Sequence, residues 1–469
     1  MAARTRACTD EPRAVHRRLS NRLVVEEVSI ADLRPDPSPQ RKHSERQIAQ
    51  IKGSLAQFDM VQPILVTDEG EVINGHAVLE AAKALGWQTA PVIRVSGLSK
   101  AQRRALMMAL NRIGEHAKWD HDVLQADFLM LQADPEIDFS LDLTGFDQVF
   151  IDTLVLEGVA ADQDDVPAVG DGPAVTRLGD MWLCGPHIII CGDSLQRETY
   201  ERLMAGQLAR LVLGDPPYNV PVNGHVSGLG KVKHREFAMA SGEMDRPGFV
   251  AFQTTIFGQC AAFSVDGALH YYFMDGRHVR DQIEAGEAVF GDLKQLIVWV
   301  KDNAGMGAFY RSRHELVTVW KVGQAPHVNN FELGGTGRYR TNVWEYPGYS
   351  SLGAGRDEAL SWHPTVKPLP MITDAILDVT AHGDVVLDPF GGSGTTLIAA
   401  ERTKRIARLI EIDPQYVDVT LQRFITQTGE EPVLTETGET FAQVRERRDH
   451  EGADMQDAAT ISASEWDIL

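Results

Sequence analysis

The segment from Asp384 to Ile425, "DVVLDPFGGSGTTLIAAERTKRIARLIEIDPQYVDVTLQRFI", constrains the fold more than any other part of the chain. It reads as strand, glycine turn, helix, strand, acidic turn, helix. Short β-branched runs alternating with helical spacing imply a mostly parallel, doubly wound sheet. Upstream, "DMWLCGPHIIICGDS" reads as a hairpin ending at Asp193, and "LARLVLGD" as a buried strand. Ligands of such sheets gather where strands give way to turns and helix N-termini. Gly391, Gly392 and Gly394 allow a ligand close to the backbone. A phosphate P-loop needs a lysine after its last glycine, and Thr395 stands there instead; the spacing is not G-x-G-x-x-G either. The expected ligand is therefore neither ATP nor NAD. Glu411 closes the next strand, placed to accept both hydroxyls of a ribose. Asp413 reads as a turn residue before Pro414.

A second string, "LVLGDPPYNV" (Leu211–Val220), ends a strand abruptly. Proline has no N–H and fixes φ, so the ladder must stop at Asp215. The exocyclic amine of adenine or cytosine is a poor nucleophile because its lone pair is delocalised into the ring. Asp215 and the carbonyl of Pro216 can accept its two hydrogens and favour a more pyramidal nitrogen. The rings of Pro216 and Pro217 stiffen the corner at little entropic cost. Tyr218 offers a face on which a base can stack.

The chain has 469 residues, enough for two to four domains, and 43% of them are hydrophobic. No apolar run approaches the ~20 residues that span a bilayer. "MAARTRACTDEPRAVHRRL" is basic without an apolar core and reads as a frayed tail rather than a secretory signal, so a cytoplasmic location is expected. Cys8, Cys184, Cys191 and Cys260 form no C-x-x-C pair, which argues against zinc; Cys184 and Cys191 are expected to be reduced thiols, able to face each other across a hairpin. The formal net charge of -21 means that any nucleic-acid face must be a local basic patch.

Asp-, Gly- and Pro-rich "DQDDVPAVGDGP" is the best linker. The expected divisions are a mixed α/β unit over 21–116, a helical connector over 117–161, a linker over 162–177, the doubly wound domain over 178–427, and an acidic, loosely attached tail over 428–469. In the first unit, "SERQIAQIKGSLAQF" has helical spacing with Ser44 as N-cap, "QPILVT" and "EVIN" are strands, and "AVLEAAKALG" is a helix ended by Gly86.

"DPPY" together with "DPFGGSGTT", "HPTVKP" and "IEIDPQYVDV" resembles the DNA amino-methyltransferases that use S-adenosylmethionine. The order, with "DPPY" ahead of the glycine motif, is that of the β-class, over roughly Leu178–Thr426. The resemblance implies a Rossmann-like methyltransferase sheet. It also implies that Asp215, Pro216, Pro217 and Tyr218 are catalytic. Cofactor contacts are implied for Asp193, Thr365, Lys367, Asp388, Phe390, Gly391, Gly392, Ser393, Gly394, Thr395 and Glu411, with no metal required. The target base would be rotated out of double-stranded DNA, and its amine would attack the sulfonium methyl in line. Target recognition would fall at about 300–360, where Lys301, Arg311, Arg313, Arg338 and Arg340 are interleaved with Tyr310, Tyr339, Trp344 and Tyr346. Lys231, Lys233 and Arg235 lie in a Gly-rich loop suited to close over phosphates. Dimers are common in the β-class, so a homodimer is one expectation, and a restriction–modification role another.

Val25–Ser96 resembles the ParB/sulfiredoxin-like N-terminal domain, a smaller α/β fold. The run Gly75, His76, Ala77, Val78 lacks the paired arginines of the ParB nucleotide box and the cysteine of sulfiredoxin. DNA contact or domain docking is left as its role, with His76 read as a turn histidine. The leading expectation is adenine N6 methylation, to which Asp in the first motif position leans. The alternatives are cytosine N4 methylation, a ParB-like regulator whose methyltransferase domain is inactive, and methylation of RNA or a protein amide.

Overall fold

The computed structural model describes residues 23–38, 40–157, 166–170, 172–220, 240, 242–302, 309–331, 338–348 and 366–451. The chain divides into two units, Met1–Val155 and Leu156–Leu469.

In the first unit, β1 (Val25–Ser29), β2 (Ile64–Val66), β3 (Val72–Asn74) and β4 (Thr89–Arg94) form a sheet of order β1-β4-β2-β3 in which only β2 and β4 run parallel. The Ser44 hydroxyl accepts the amide of Gln47 at 3.1 Å and starts the helix Glu45–Phe58 where the spacing predicts it. Ile64, Val66, Leu79 and Val92 fill the core between sheet and helices. The segment expected as a separate connector packs into this unit. Phe139 meets Phe58 edge-on at 5.2 Å, and Arg46 pairs with Asp147 at 2.7 Å. Gly53 has no Cβ because Leu143 occupies its place, 2.2 Å from where that atom would be.

Among the described residues the second unit is built on ten strands: β5 (Met181–Cys184), β6 (His187–Cys191), β7 (Ala209–Gly214), β8 (Ser264–Met274), β9 (Gln295–Val300), β10 (His314–Lys321), β11 (Val343–Glu345), β12 (Val385–Asp388), β13 (Ile406–Glu411) and β14 (Val433–Leu434). Their order is β11-β9-β10-β8-β7-β12-β13-β6-β5-β14. β6, β13, β12, β7 and β8 run parallel, so their carboxyl ends share one edge. From β7 the chain continues to β8 on one side; from β12 it continues to β13 on the other. The neighbours β7 and β12 therefore form the topological switch point, where a doubly wound sheet opens a crevice. Two apolar clusters, one containing Leu211, Ile376 and Leu397 and the other Val212, Phe257 and Tyr272, complete the core.

Two expectations need correction. Cys184 pairs in register with His187, and Cys191 lies beyond the last paired residue, so the two thiols do not face each other. Cys184, Cys191 and Cys260 are buried free thiols; burial pushes Cys191 and Cys260 up to about 12. The tail is not loose over 428–451. β14 pairs antiparallel with β5, Phe441 meets Trp182 edge-on at 5.5 Å, and Val444 is fully buried. Few large apolar residues are present there, but each is spaced to reach the core. Among the described residues no helix is long and apolar enough to cross a membrane.

Candidate active site

β7 ends at Gly214, and Asp215 to Tyr218 turn away from the sheet. Gly214 has no room for a side chain: a Cβ would lie 2.6 Å from the Tyr272 ring. The turn is pinned beyond its tip by Asn219, at φ +54°, whose side chain accepts the amides of Gly242 and Met244 and donates to the Met244 carbonyl at 2.8 Å. The Tyr218 hydroxyl donates to Asp215 Oδ1 at 2.8 Å and lies 3.0 Å from Glu315 Oε2. Lys367 Nζ donates to Asp215 Oδ2 at 2.6 Å.

At the end of the adjacent β12, Asp388 accepts the amide of Phe390 at 2.9 Å and the hydroxyl of Thr396 at 2.6 Å. Between these contacts the chain turns through Gly392 (φ +51°) and Gly394 (φ +79°), left-handed conformations that cost glycine little, into the helix Thr395–Arg402. Thr420 and Arg423, on the helix Pro414–Thr428, donate to the carbonyls of Gly392 and Ser393 at 3.0 and 2.9 Å. Glu411, the last residue of β13, accepts the amides of Gly392 and Asp413, both at 2.8 Å. Asp413 itself caps the following helix by accepting from Gln415, as its place before Pro414 implies.

These strand ends enclose one cavity. Its lining includes Asp193, the whole Asp215–Tyr218 corner, Lys367, Asp388, Phe390 to Ser393, Thr395 and Glu411. Gly394 is the exception: its missing Cβ would strike Thr420 at 2.6 Å, so it serves packing. Among the described residues the lining carries five acids (Asp193, Asp215, Asp388, Glu411 and Asp413) against two cations, Arg277 and Lys367. Burial raises Asp388 and Glu411 to about 7 each. Burial also raises Asp215 above the usual carboxylate range, opposed by the Lys367 charge. Such a cavity repels phosphates and suits a ligand that carries positive charge and sugar hydroxyls. Among the described residues no cluster of His, Cys, Asp or Glu is arranged to hold a metal ion.

The basic residues divide. Arg311 and Arg313 are exposed, as are Tyr310 beside them in sequence (82%) and Tyr339, between Arg338 and Arg340 (80%). Arg338 and Arg340 are not available to a partner. Arg338 is 7% exposed and donates to Asp378 at 2.8 Å; Arg340 donates to the other Asp378 oxygen at 2.9 Å and to the Tyr346 hydroxyl at 2.8 Å. Together they fasten the segment before β11 to the helix Leu369–Val379, which corrects their reading as a DNA face. Lys231, Lys233, Arg235 and Thr365 lie outside the described residues. Lys367, expected as a cofactor contact, lines the same cavity and donates to Asp215. Glu315 was not foreseen, nor was its ion pair with Lys301. His76, expected in a turn, instead opens the helix His76–Ala84, where its Nε2 accepts the amide of Asp36 at 3.2 Å.

Comparison with known proteins gives two family matches. Residues 209–422 match the DNA methylase family, and residues 14–111 match the ParB N-terminal domain. The ParB-like nuclease domain-containing protein YnaK of Escherichia coli is 35% identical over 86 residues, 18% of this chain and 99% of YnaK. The DNA adenine methyltransferase YhdJ of the same organism is 26% identical over 265 residues, 50% of this chain and 81% of YhdJ. The type II methyltransferase M2.MboI of Moraxella bovis is 29% identical over 136 residues, 28% of this chain and 48% of that protein.

Proposed function

The chain belongs to the DNA methylase family of N6 and N4 amino-methyltransferases and carries a ParB N-terminal domain; from that premise we propose that it transfers a methyl group from S-adenosylmethionine to the exocyclic amine of a base rotated out of DNA, adenine N6 first. The observation that carries this reading is the meeting of the Asp215–Tyr218 corner and the glycine turn of Gly391 and Gly392 in one cavity at the switch point.

S-adenosylmethionine fits the donor set: its sulfonium and ammonium answer the excess of acids, and its ribose offers hydroxyls to Glu411, whose oxygens each keep a free lone pair. When bound it supplies an electrophilic methyl carbon on a positively charged sulfur. Asp193 and Glu411 would hold the nucleoside end, and Asp388 and the glycine turn would hold the methionine end. Asp215 and the Pro216 carbonyl accept the two hydrogens of the target amine and turn its lone pair toward the methyl. The Tyr218 ring holds the base by stacking, and the stiff corner fixes the geometry before the base arrives. Arg311 and Arg313, exposed beside Tyr310, are the proposed phosphate contacts. The acidic first residue of the corner and the kinship with YhdJ favour adenine over cytosine.

The test is expression in a host free of DNA methylation, followed by sequencing of its DNA for modified bases. N6-methyladenine at a fixed site is expected. N4-methylcytosine would correct the base, and unmodified DNA would overturn the reading. In vitro, Asp215→Ala should abolish transfer from tritiated cofactor while cofactor binding, followed by calorimetry, persists.

A further inference from the structure

Three charged side chains, Asp215, Glu315 and Lys367, meet around the Tyr218 hydroxyl, and a fourth, Lys301, pairs with Glu315; the four come from separate pieces of chain. Asp215 follows β7, Glu315 lies on β10, Lys301 follows β9, and Lys367 precedes the helix Leu369–Val379. Lys367 is 7% exposed, with Nζ 2.6 Å from Asp215 Oδ2, 3.4 Å from the Tyr218 oxygen and 3.5 Å from Glu315 Oε2. Its ammonium also lies 5.1 Å from the centre of the Phe273 ring and 5.7 Å from that of Tyr218. Glu315 holds Lys301 by a direct ion pair on its other oxygen. The charges alternate, Asp215, Lys367, Glu315, Lys301, so each buried ion has an opposite neighbour.

Burial alone would empty this cluster of charge. It works against the Lys367 ammonium, yet the two carboxylates keep that group above its ordinary range. Burial also opposes the charge on Glu315, and the two lysines overcome it, holding Glu315 down at about 2. Asp215 is the member for which burial wins, helped by repulsion from Glu315. Against that stand Lys367 and the Tyr218 hydroxyl. Asp215 is therefore the poised member of the cluster, and Lys367 is the cation in contact with it.

We propose that Lys367, braced by Glu315, is a positioning residue that keeps the Asp215 carboxylate charged and aimed at the target amine. This rests on the methyl-transfer reading above. In that reaction the amine lone pair forms the new N–C bond, the C–S pair stays on sulfur, and the alkylated nitrogen sheds a proton. An ionised Asp215 can take that proton; a protonated one cannot. The lysine itself, held as an ammonium, has no lone pair and does not compete for the methyl.

The test is the pH profile of methyl transfer to DNA by the full chain. In Lys367→Met the acidic limb should move up by at least one pH unit and activity should recover at high pH, with cofactor affinity within twofold of the parent. Lys367→Arg should restore the parental limb. Glu315→Gln removes a charge that repels Asp215 but leaves an acceptor, so its limb should move down. A uniform loss at every pH in Lys367→Met, or an unmoved limb, would overturn the proposal. Carbon-13 NMR titration of Asp215 in the same variants reads the carboxylate without turnover. If the parent proves inactive, the functional reading fails, while an Asp215 midpoint higher in Lys367→Met than in Lys367→Arg would still support the lysine's role, and equal midpoints would refute it.

Discussion

Glu411 accepts the backbone amide of Gly392 at 2.8 Å across 19 residues of chain. The end of β13 thereby fixes the turn that follows β12, and the carboxylate that would hold a sugar also sets the shape of the loop beside it. A second amide, from Asp413, occupies its other oxygen. One side chain couples the two halves of the proposed cofactor site.

Cofactor affinity should depend on pH because of this residue. Burial places Glu411 at about 7 in the free protein, and ribose hydroxyls donate best to its ionised form. Binding should tighten by about tenfold between pH 6 and pH 8 for one such group. Calorimetry at three pH values checks this. Glu411→Gln should flatten the curve, leaving only the share of Asp388.

The same two acids set the stability of the ligand-free protein. Asp388 and Glu411 both have folded-state values raised to about 7. A raised acid favours the folded state while it is protonated, fully so below its unfolded value. That contribution is lost as pH climbs through 7. The Tm of the ligand-free chain should fall over that window, and by less in Glu411→Gln. Added cofactor should restore more at pH 8 than at pH 6.

Tyr218→Phe separates the ring from the hydroxyl. The stacking face remains, while the hydrogen bond to Asp215 and the approach to Glu315 are lost. Hydrogen bonds to charged groups are worth ~1.5–3 kcal/mol, so transfer should fall by roughly ten- to a hundredfold with cofactor affinity unchanged. Tyr218→Ala should lose more. Single-turnover transfer from tritiated cofactor measures both.

The exposed and buried arginines should part company. Replacing Arg311 and Arg313 together by alanine should weaken DNA binding and lower the slope of log affinity against log salt by about 2, with Tm unchanged. Arg338→Met should leave that slope intact and lower Tm, because Asp374 and Asp378 lose one of their two arginine partners inside the protein.

Phe441→Ala should cost about 3–5 kcal/mol in urea unfolding, since its ring is 2% exposed against Trp182. A tail free of the core would show no change.

The sheet and its glycine turn are legible in the chain because local pattern decides them: "DVVLDPFGGSGTT" is strand, turn and helix start on any reading. Glu315 is not legible. It belongs to an ordinary strand, "HELVTVWK", and becomes a neighbour of Tyr218 only because β10 pairs with β8 and β8 with β7. No spacing within the sequence encodes that. Arg338 and Arg340 mislead for a related reason. Basic residues beside aromatics look alike whether they face a phosphate or a buried acid, and Asp374 and Asp378, which claim them, lie on a helix more than thirty residues away. The segment after Thr428 misleads through composition, because four apolar residues (Val433, Leu434, Phe441 and Val444) suffice to anchor it.

β6 and β7 are consecutive in synthesis, yet β13 and β12 separate them in the finished sheet. A nascent polypeptide halted before residue 385 would own the proline corner but leave a two-strand gap through the centre of the sheet. The strands that carry the proposed donor site thus emerge after β5 to β11, and their insertion completes both the ladder and the crevice. Competence for the proposed reaction would arrive in one step, only after β12 and β13 have found their slot.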